Sequence, residues 1–253
     1  MKIQIIKCLQ DNYSYLIIDE TNQSACVVDP SEAKPIIDFV EKNNINLKYI
    51  LNTHHHFDHV GGNLELKKIF NCKIIGSFKD LNRIPGIELG LKDQELFDLG
   101  GSKLRVIETP GHTVGHICFY SYESKSLFSG DTLFSLGCGR LFEGSADQMV
   151  KSLKKLRSLP KQTKIYCGHE YTKSNANFAI HLNPNDDKLK RKIKDLENEL
   201  KQFSSTIPFK LEEEIEFNPF LKFDNLGYLD AIGLQDLGEF ENFKRIRKMK
   251  DEF

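Results

Sequence analysis

Nothing in this chain approaches the ~20 consecutive apolar residues that a bilayer-spanning helix needs, so no membrane anchor is expected. The opening Met1-Lys2-Ile3-Gln4-Ile5-Ile6-Lys7 has too short an apolar run for the core of a signal peptide. No C-x-x-C pair occurs either. The six cysteines (Cys8, Cys26, Cys72, Cys118, Cys138 and Cys167) are scattered, which in a chain of 253 residues reads as reduced, mostly buried thiols of a cytoplasmic protein. Charge of one sign is not in excess: 35 Lys and Arg against 36 Asp and Glu leave a net charge of −1 and a pI near 6.7, so no global basic field points to nucleic acid. Tryptophan is absent, and no function follows from that. The closing Lys250-Asp251-Glu252-Phe253 resembles an endoplasmic-reticulum retention signal but ends in Phe, and without a signal peptide it is no address.

What is present suits one large domain, or one domain plus a small one, with 40% hydrophobic residues to build a core. Ile3 and Ile5, then Tyr13, Tyr15 and Ile17, alternate as half-buried strands do, and Cys26-Val27-Val28 is a further short strand. Asp29-Pro30-Ser31 breaks the chain, and Ser31 is placed to cap a helix carrying Ile36, Ile37 and Val40. Tyr49 to Leu51 and Cys72 to Ile75 read as strands on either side of a helix from Asn63 to Phe70, and residues 76 to 93 as loop. Four short strand candidates follow: Glu95 to Leu99, Lys103 to Glu108, His116 to Tyr122 and Ser126 to Ser129. Their Gly and polar separators suggest a second sheet of hairpins. Ser145 with Gln148 forms a capping box ahead of a stripe of Met149, Leu153 and Leu156, and Lys164 to Cys167 is a last strand. Beyond Gly168 the composition turns helical, with a stripe of Leu189, Ile193, Leu196, Leu200 and Phe203, a linker with a short helix over Thr206 to Asn218, and a final helix over Leu234 to Lys250. The alternation implies an α/β arrangement of two packed sheets with helices outside.

The chemistry concentrates at Thr53-His54-His55-His56-Phe57-Asp58-His59, between the apolar run Tyr49-Ile50-Leu51 and the helix at Asn63. A polar, repetitive metal-scavenging tract would not sit between a strand and a helix, so a structured site is the better reading. Imidazole nitrogen and carboxylate oxygen are ligands for zinc and similar metals. In an extended segment His54 and His56 project to one side, while Asp58 and His59 lie past the bend. One loop cannot close two shells, and three further places share a plan of strand, then Gly, then ligand type. These are His112 in Thr109-Pro110-Gly111-His112, Asp131 in Ser129-Gly130-Asp131-Thr132, and His169 in Tyr166-Cys167-Gly168-His169-Glu170. Each alone is weak; together, in this order, they are a strong signal.

With T-H-H-H-F-D-H, P-G-H-T-x-G-H, G-D-T and G-H-E in hand, the chain from Ile3 to about Tyr171 resembles the metallo-β-lactamase superfamily. The resemblance implies a four-layer αβ/βα sandwich for residues 1–170 as the catalytic domain, with residues 171–253 as a C-terminal helical substrate-binding domain. It implies two divalent metal ions, zinc first, with iron or manganese as alternatives. His54, His56 and His112 would hold one, Asp58, His59 and His169 the other, and Asp131 would bridge them. His55 and His116 would orient ligands or close turns.

Gly137-Cys138-Gly139-Arg140-Leu141-Phe142-Glu143-Gly144, Tyr166 to Tyr171, Asn218-Pro219-Phe220 and Arg247 to Phe253, with the helical tail, are similar to the glyoxalase II (hydroxyacylglutathione hydrolase) family over nearly the whole chain. That likeness implies a binuclear hydrolase cleaving S-D-lactoylglutathione, or a related S-2-hydroxyacylglutathione, to a 2-hydroxy acid and glutathione, the second step of methylglyoxal detoxification. Asp58 would be both ligand and partner for the attacking water's proton. Arg140, Tyr171, Arg247 and Lys250 would contact the glutathione moiety. Phe142 stands where a glutathione-contacting Tyr is common, and Arg140 where a Lys is common, which keeps charge but changes geometry. The expected partner is this small-molecule thioester, with no nucleic acid and no membrane, and the expected state is a monomer. The competing readings are a mononuclear iron persulfide dioxygenase, a lactonase, and a non-catalytic binding module with the same fold. The N-P-F segment and the basic end weigh against the first, and the cost of clustering unpaired buried His and Asp against the last.

Overall fold

The computed structural model describes residues 1–20 and 24–253. The chain opens as an antiparallel meander, β1 (Lys2–Cys8), β2 (Asn12–Asp19) and β3 (Ser24–Val28). Helix α1 (Lys34–Lys42) then carries the chain over to β4 (Asn46–Leu51), which pairs parallel to β3. The short α2 (Phe57–Val60) and α3 (Asn63–Phe70) lead to β5 (Lys73–Ser77), and β5 and β6 (Leu89–Leu91) extend the parallel half, giving a six-stranded sheet in the order β1-β2-β3-β4-β5-β6.

The second sheet begins with β7 (Leu96–Asp98), β8 (Lys103–Glu108), β9 (Ile117–Ser121) and β10 (Ser126–Gly130), all antiparallel. A small hairpin, β11 (Leu133–Phe134) and β12 (Gly137–Cys138), and helix α4 (Ala146–Arg157) precede β13 (Lys164–Cys167), which pairs parallel to β10. The tail runs α5 (Thr172–Leu182), α6 (Asp187–Phe203), β14 (Phe209–Lys210), α7 (Leu211–Phe217), α8 (Leu226–Ala231) and α9 (Glu239–Glu252). Because β14 pairs with β13, the tail contributes the edge of a sheet ordered β14-β13-β10-β9-β8-β7.

Period-two alternation explains the layering. Tyr13, Tyr15 and Ile17 of β2 point into a core shared with Leu104, Val106, Phe119 and Leu127 of the second sheet. Leu16 between them points the other way, into a core with Val27, Ile50, Ile74 and the helix residues Ile36, Val40 and Leu66. Met149, Leu153 and Leu156 of α4 cover the second sheet.

Several local expectations shift. Helix α1 starts after Ala33 and not at Ser31, because Pro35 at its first turn presets the helical φ there. The 76–93 stretch holds a real edge strand, β6. Its Gly90 is required by a close approach, since a Cβ there would meet the Phe78 backbone, and that glycine hides the strand signal. The segment read as a linker supplies β14 as well as α7, and the last helix begins five residues later than Leu234. Helix α5 carries no clean apolar stripe, because its buried face mixes Thr172 and Asn175 with Ala176, Phe178 and Ala179. The capping box stands as drawn, with Ser145 Oγ accepting from Gln148 N at 3.2 Å and Gln148 Oε1 from Ser145 N at 2.9 Å. All six cysteines are free and buried. Among the described residues no helix is long and apolar enough to cross a membrane.

At one rim the sheets are stitched together. Ile117 N donates to Thr53 O at 2.9 Å and Tyr13 N to Gly168 O at 2.8 Å, and the Tyr15 hydroxyl donates to Cys167 O. The carboxyl ends of β4, β10 and β13 therefore open onto one place.

Candidate metal centre

The segment after β4 enters that rim buried and leaves it through the first turn of α2. His54 and His59 are buried, while His55, His56 and Asp58 are partly exposed. His112 comes from the loop after β8, Asp131 directly follows β10, and His169 follows β13. Gly130 and Gly168 make the last two possible. Gly130 adopts φ +47°, and a Cβ on it would meet Thr53 Oγ1 and His116 Nε2. A Cβ on Gly168 would meet the Asp131 carboxylate and the His59 ring. The recurring strand–Gly–ligand plan in the sequence is thus a packing requirement: the backbone must pass close beneath the side chains it brings together.

Three triples result, each with its ligand-type atoms within 4.8 Å of one another, and two of them hold the sequence-derived candidates: His54, His56 and His112, and Asp58, His59 and His169; the third is Asp29, His54 and His59. In the first, His112 Nε2 faces His56 Nδ1 at 3.0 Å. In the second, His59 Nε2 faces His169 Nε2 at 3.3 Å, and Asp58 Oδ2 lies 3.5 Å and 3.2 Å from those two nitrogens. Asp131 spans both, with Oδ1 3.4 Å from His59 Nε2 and Oδ2 3.5 Å from His112 Nε2 and 3.4 Å from His169 Nε2. All seven sequence-derived candidates are brought together.

The rings of His54, His112 and His169 are held from behind, which fixes their orientation. His112 Nδ1 lies 2.8 Å from Arg140 O, and His169 Nδ1 lies 2.9 Å from Asp11 Oδ1. His54 Nδ1 lies 3.0 Å from Thr53 Oγ1, which donates to Asp29 Oδ2 at 2.6 Å. Asn12 Nδ2 donates to Asp58 Oδ2 at 3.0 Å. Asp11, Asn12 and Asp29 were not singled out from sequence. Asp29 follows a strand end as Asp131 does, a signal that the neighbouring Pro30 masked as a chain break. His116 accepts from Asp131 N at 3.1 Å through Nε2 and faces Thr109 and Thr132 through Nδ1, so it fixes the backbone that presents Asp131. His55 turns away, toward Asp80 at 3.5 Å and Glu143 at 3.4 Å.

The electrostatics divide the cluster. Burial, then the neighbouring rings of His59, His116 and His112, hold His54 well below its ordinary range, so its imidazole is neutral. Burial likewise leads in lowering His56, to about 4. At the other triple burial opposes charge but is overcome: Asp131, Asp58 and Asp11 push His169 up to about 11, and Asp131 and Asp29 raise His59. The same ring contacts hold Asp58 and Asp131 well below the usual carboxylate range against the burial that works to raise them. The field there favours positive charge.

Divalent cations fit these residues. Nitrogen and carboxylate donors are the mixed set such ions take. His54 Nε2 and Asp131 Oδ1 are buried without a hydrogen-bond partner, and an unpaired buried polar atom is costly unless something else satisfies it. Two pairs of ring nitrogens face one another at distances where a shared cation replaces mutual crowding.

Beside the cluster lies a cleft of about 340 Å³, reached from His112 and Asp131 and walled by Tyr171, Arg140, Arg247 and Lys250. Tyr171 stacks on His169, with centroids 4.6 Å apart and planes within 5°. Phe142 packs edge-on to His56 and His112 at 5.7 Å and 5.3 Å. Lys250 Nζ donates to Ser174 O at 3.0 Å. Arg247 is buried, and its Nη1 donates to Cys138 O at 3.1 Å.

The family profile of the metallo-beta-lactamase superfamily matches residues 10–169, and that of the hydroxyacylglutathione hydrolase C-terminus matches residues 170–253. The chain is 51% identical to the hydroxyacylglutathione hydrolase of Pelagibacter ubique over 253 residues, 100% of each chain. It is 44% identical to that of Methylococcus capsulatus, over 100% of this chain and 99% of the relative. The solved structure of ETHE1 from Myxococcus xanthus shares the fold, with a TM-score of 0.70 at 22% identity over 98% of this chain and 90% of that one.

Proposed function

The chain belongs to the metallo-beta-lactamase superfamily and, within it, to the hydroxyacylglutathione hydrolases, and from that premise we propose that it hydrolyses the thioester of S-D-lactoylglutathione, or of a close S-2-hydroxyacylglutathione, to the 2-hydroxy acid and glutathione. One observation supports this reading above the others: seven ligand-type side chains converge beside a cleft whose wall carries the cations Arg140, Arg247 and Lys250. A thioester placed at the cluster would extend its anionic peptide tail toward that wall.

In this reading His54, His56 and His112 would hold one divalent cation, Asp58, His59 and His169 a second, and Asp131 would contribute to both. We propose zinc, with iron and manganese tolerated by the same donors. Bound divalent cations supply Lewis acidity, which brings the pKa of water toward about 7 and polarises a carbonyl. Asp58, whose Oδ2 accepts from Asn12 Nδ2, is the acceptor for the proton the attacking water gives up. Water oxygen adds to the acyl carbon, the carbon–sulfur bond breaks, and glutathione leaves as the thiolate. The Tyr171 ring, fixed on His169, and the Phe142 ring flank the place where sulfur departs. Arg140 and Lys250 draw the tail carboxylates, which fixes the acyl group over the cluster and excludes bulk water.

We propose a monomeric enzyme, and six free buried thiols support a reducing, cytoplasmic setting. The test is loss of thioester absorbance from S-D-lactoylglutathione, with elemental analysis of the same preparation. Asp131→Ala should lose bound metal and turnover together; turnover in that variant with no metal present would sink the mechanism.

A further inference from the structure

Asp251 is a carboxylate beside the cations of the cleft's wall, and no step of the proposed reaction requires it. Its Oδ1 accepts from Arg247 Nε at 3.1 Å and lies 2.9 Å from Arg247 Nη2. The same oxygen stands 3.8 Å from Arg140 Nε. The two pairs differ in kind. Arg247 is only 6% exposed at its side chain, lies over the Phe220 ring and spends a third donor on Cys138 O, so its geometry is fixed from several sides. Arg140 is 67% exposed at its side chain and Asp251 43%, and at that distance and exposure an ion pair is weak and screened. Asp251 itself does not line the cleft, whereas Arg140, Arg247 and Lys250 do.

Resting on the glutathione-thioester reading, we propose that Asp251 is a specificity-determining residue: it is a resident competitor that shares Arg140 until a substrate carboxylate takes that guanidinium, and so sets how strongly an anionic tail is preferred over a neutral one. A glutathione tail carries two carboxylates and one ammonium. Three wall cations less one resident carboxylate leave a positive excess that attracts such a tail without holding the product glutathione, which carries the same tail, too tightly for release. Arg247, with three of its five N–H groups directed at Asp251 and Cys138 O, braces the wall, and Arg140 is the cation free to exchange partners.

Asp251→Asn separates charge from shape, because the amide oxygen still accepts from Arg247 while the charge beside Arg140 disappears. The measurement is KM, on the metal-loaded full chain at pH 6.5, for S-D-lactoylglutathione and for its diamide, in which both tail carboxylates are neutral. Lys250 titrates at about 8, so its ammonium is retained at that pH. The expected result is a KM for the acid about twofold to fivefold lower in Asp251→Asn than in the wild type, with kcat moving less, and no change for the diamide. In an Arg140→Gln background the same substitution should move neither KM. An unchanged or raised KM for the acid overturns the proposal, since Asp251 would then serve to orient Arg247, and so does an equal fall for both substrates. Wild-type enzyme that cleaves neither thioester overturns the function reading and this inference with it. Wild-type turnover with no tightening in the variant overturns this inference alone.

Discussion

Asp29 Oδ2 lies 3.0 Å from His59 Nδ1, and both side chains are buried. The same carboxylate accepts from Thr53 N at 2.8 Å and from Thr53 Oγ1 at 2.6 Å, and that hydroxyl in turn faces His54 Nδ1. One carboxylate thereby aims a ring of each triple. Asn at this position would point an N–H2 group at donors, leaving one of them unsatisfied. Asp29→Asn should therefore weaken the retention of both cations together, by about 10–100-fold in affinity. Metal per chain after dialysis against graded chelator checks it, and loss of one cation with the other held as in the wild type would refute the shared role.

How far this could be read in advance depended on sequence distance. His54 to His59 are legible because they lie within six positions, and His112, Asp131 and His169 because each repeats strand, Gly, ligand. Asp11 is not legible, because its role exists only where the turn after β1 meets the end of β13, 158 residues away. Helix α5 and the two-residue strand β14 were hidden for opposite reasons. The first buries Thr172 and Asn175 beside Ala176, Phe178 and Ala179, so its buried face shows no apolar stripe, and the second is too short to show any. The likeness carried by Arg247 pointed to a cation gripping the substrate. The structure places it in the wall with three of its N–H groups directed at Asp251 and Cys138 O, a detail that no pattern of residue types records.

Burial, then the charges of Arg247 and Arg140, lower the Lys250 ammonium to about 8, with Asp251 opposing. The charged form is the one that attracts a carboxylate, so attraction is full below pH 8 and is lost as pH rises through it. KM for the glutathione thioester should therefore climb between pH 7 and 9.5. Lys250→Met should show a high KM that is flat over that range. A rise of the same size in Lys250→Met would assign the effect to another group.

Glu214 ties the tail to the wall of the cleft. Its carboxylate, on α7, accepts from Leu136 N at 2.7 Å, with Ser135 Oγ 3.4 Å away, both at the turn between β11 and β12, and from Asn218 Nδ2 at 2.9 Å at the end of its own helix. The group is 1% exposed, and burial, opposed by those hydrogen bonds, pushes it up from 4.5 to about 7. An acid raised in the folded state favours the protonated form there. Its contribution to stability is present in full below about pH 4.5 and is lost as pH rises through 7, a change on the order of 3 kcal/mol. Gln keeps a carbonyl oxygen for Leu136 and Asn218, offers an N–H to Ser135, and does not ionise. Glu214→Gln should thus match the wild type at pH 5 and exceed it at pH 8, by roughly 5–10 °C in Tm. Thermal unfolding of both proteins across pH 5 to 8 decides the matter. Parallel curves would mean that Glu214 stays ionised in the fold, its burial outweighed by the three donors around it.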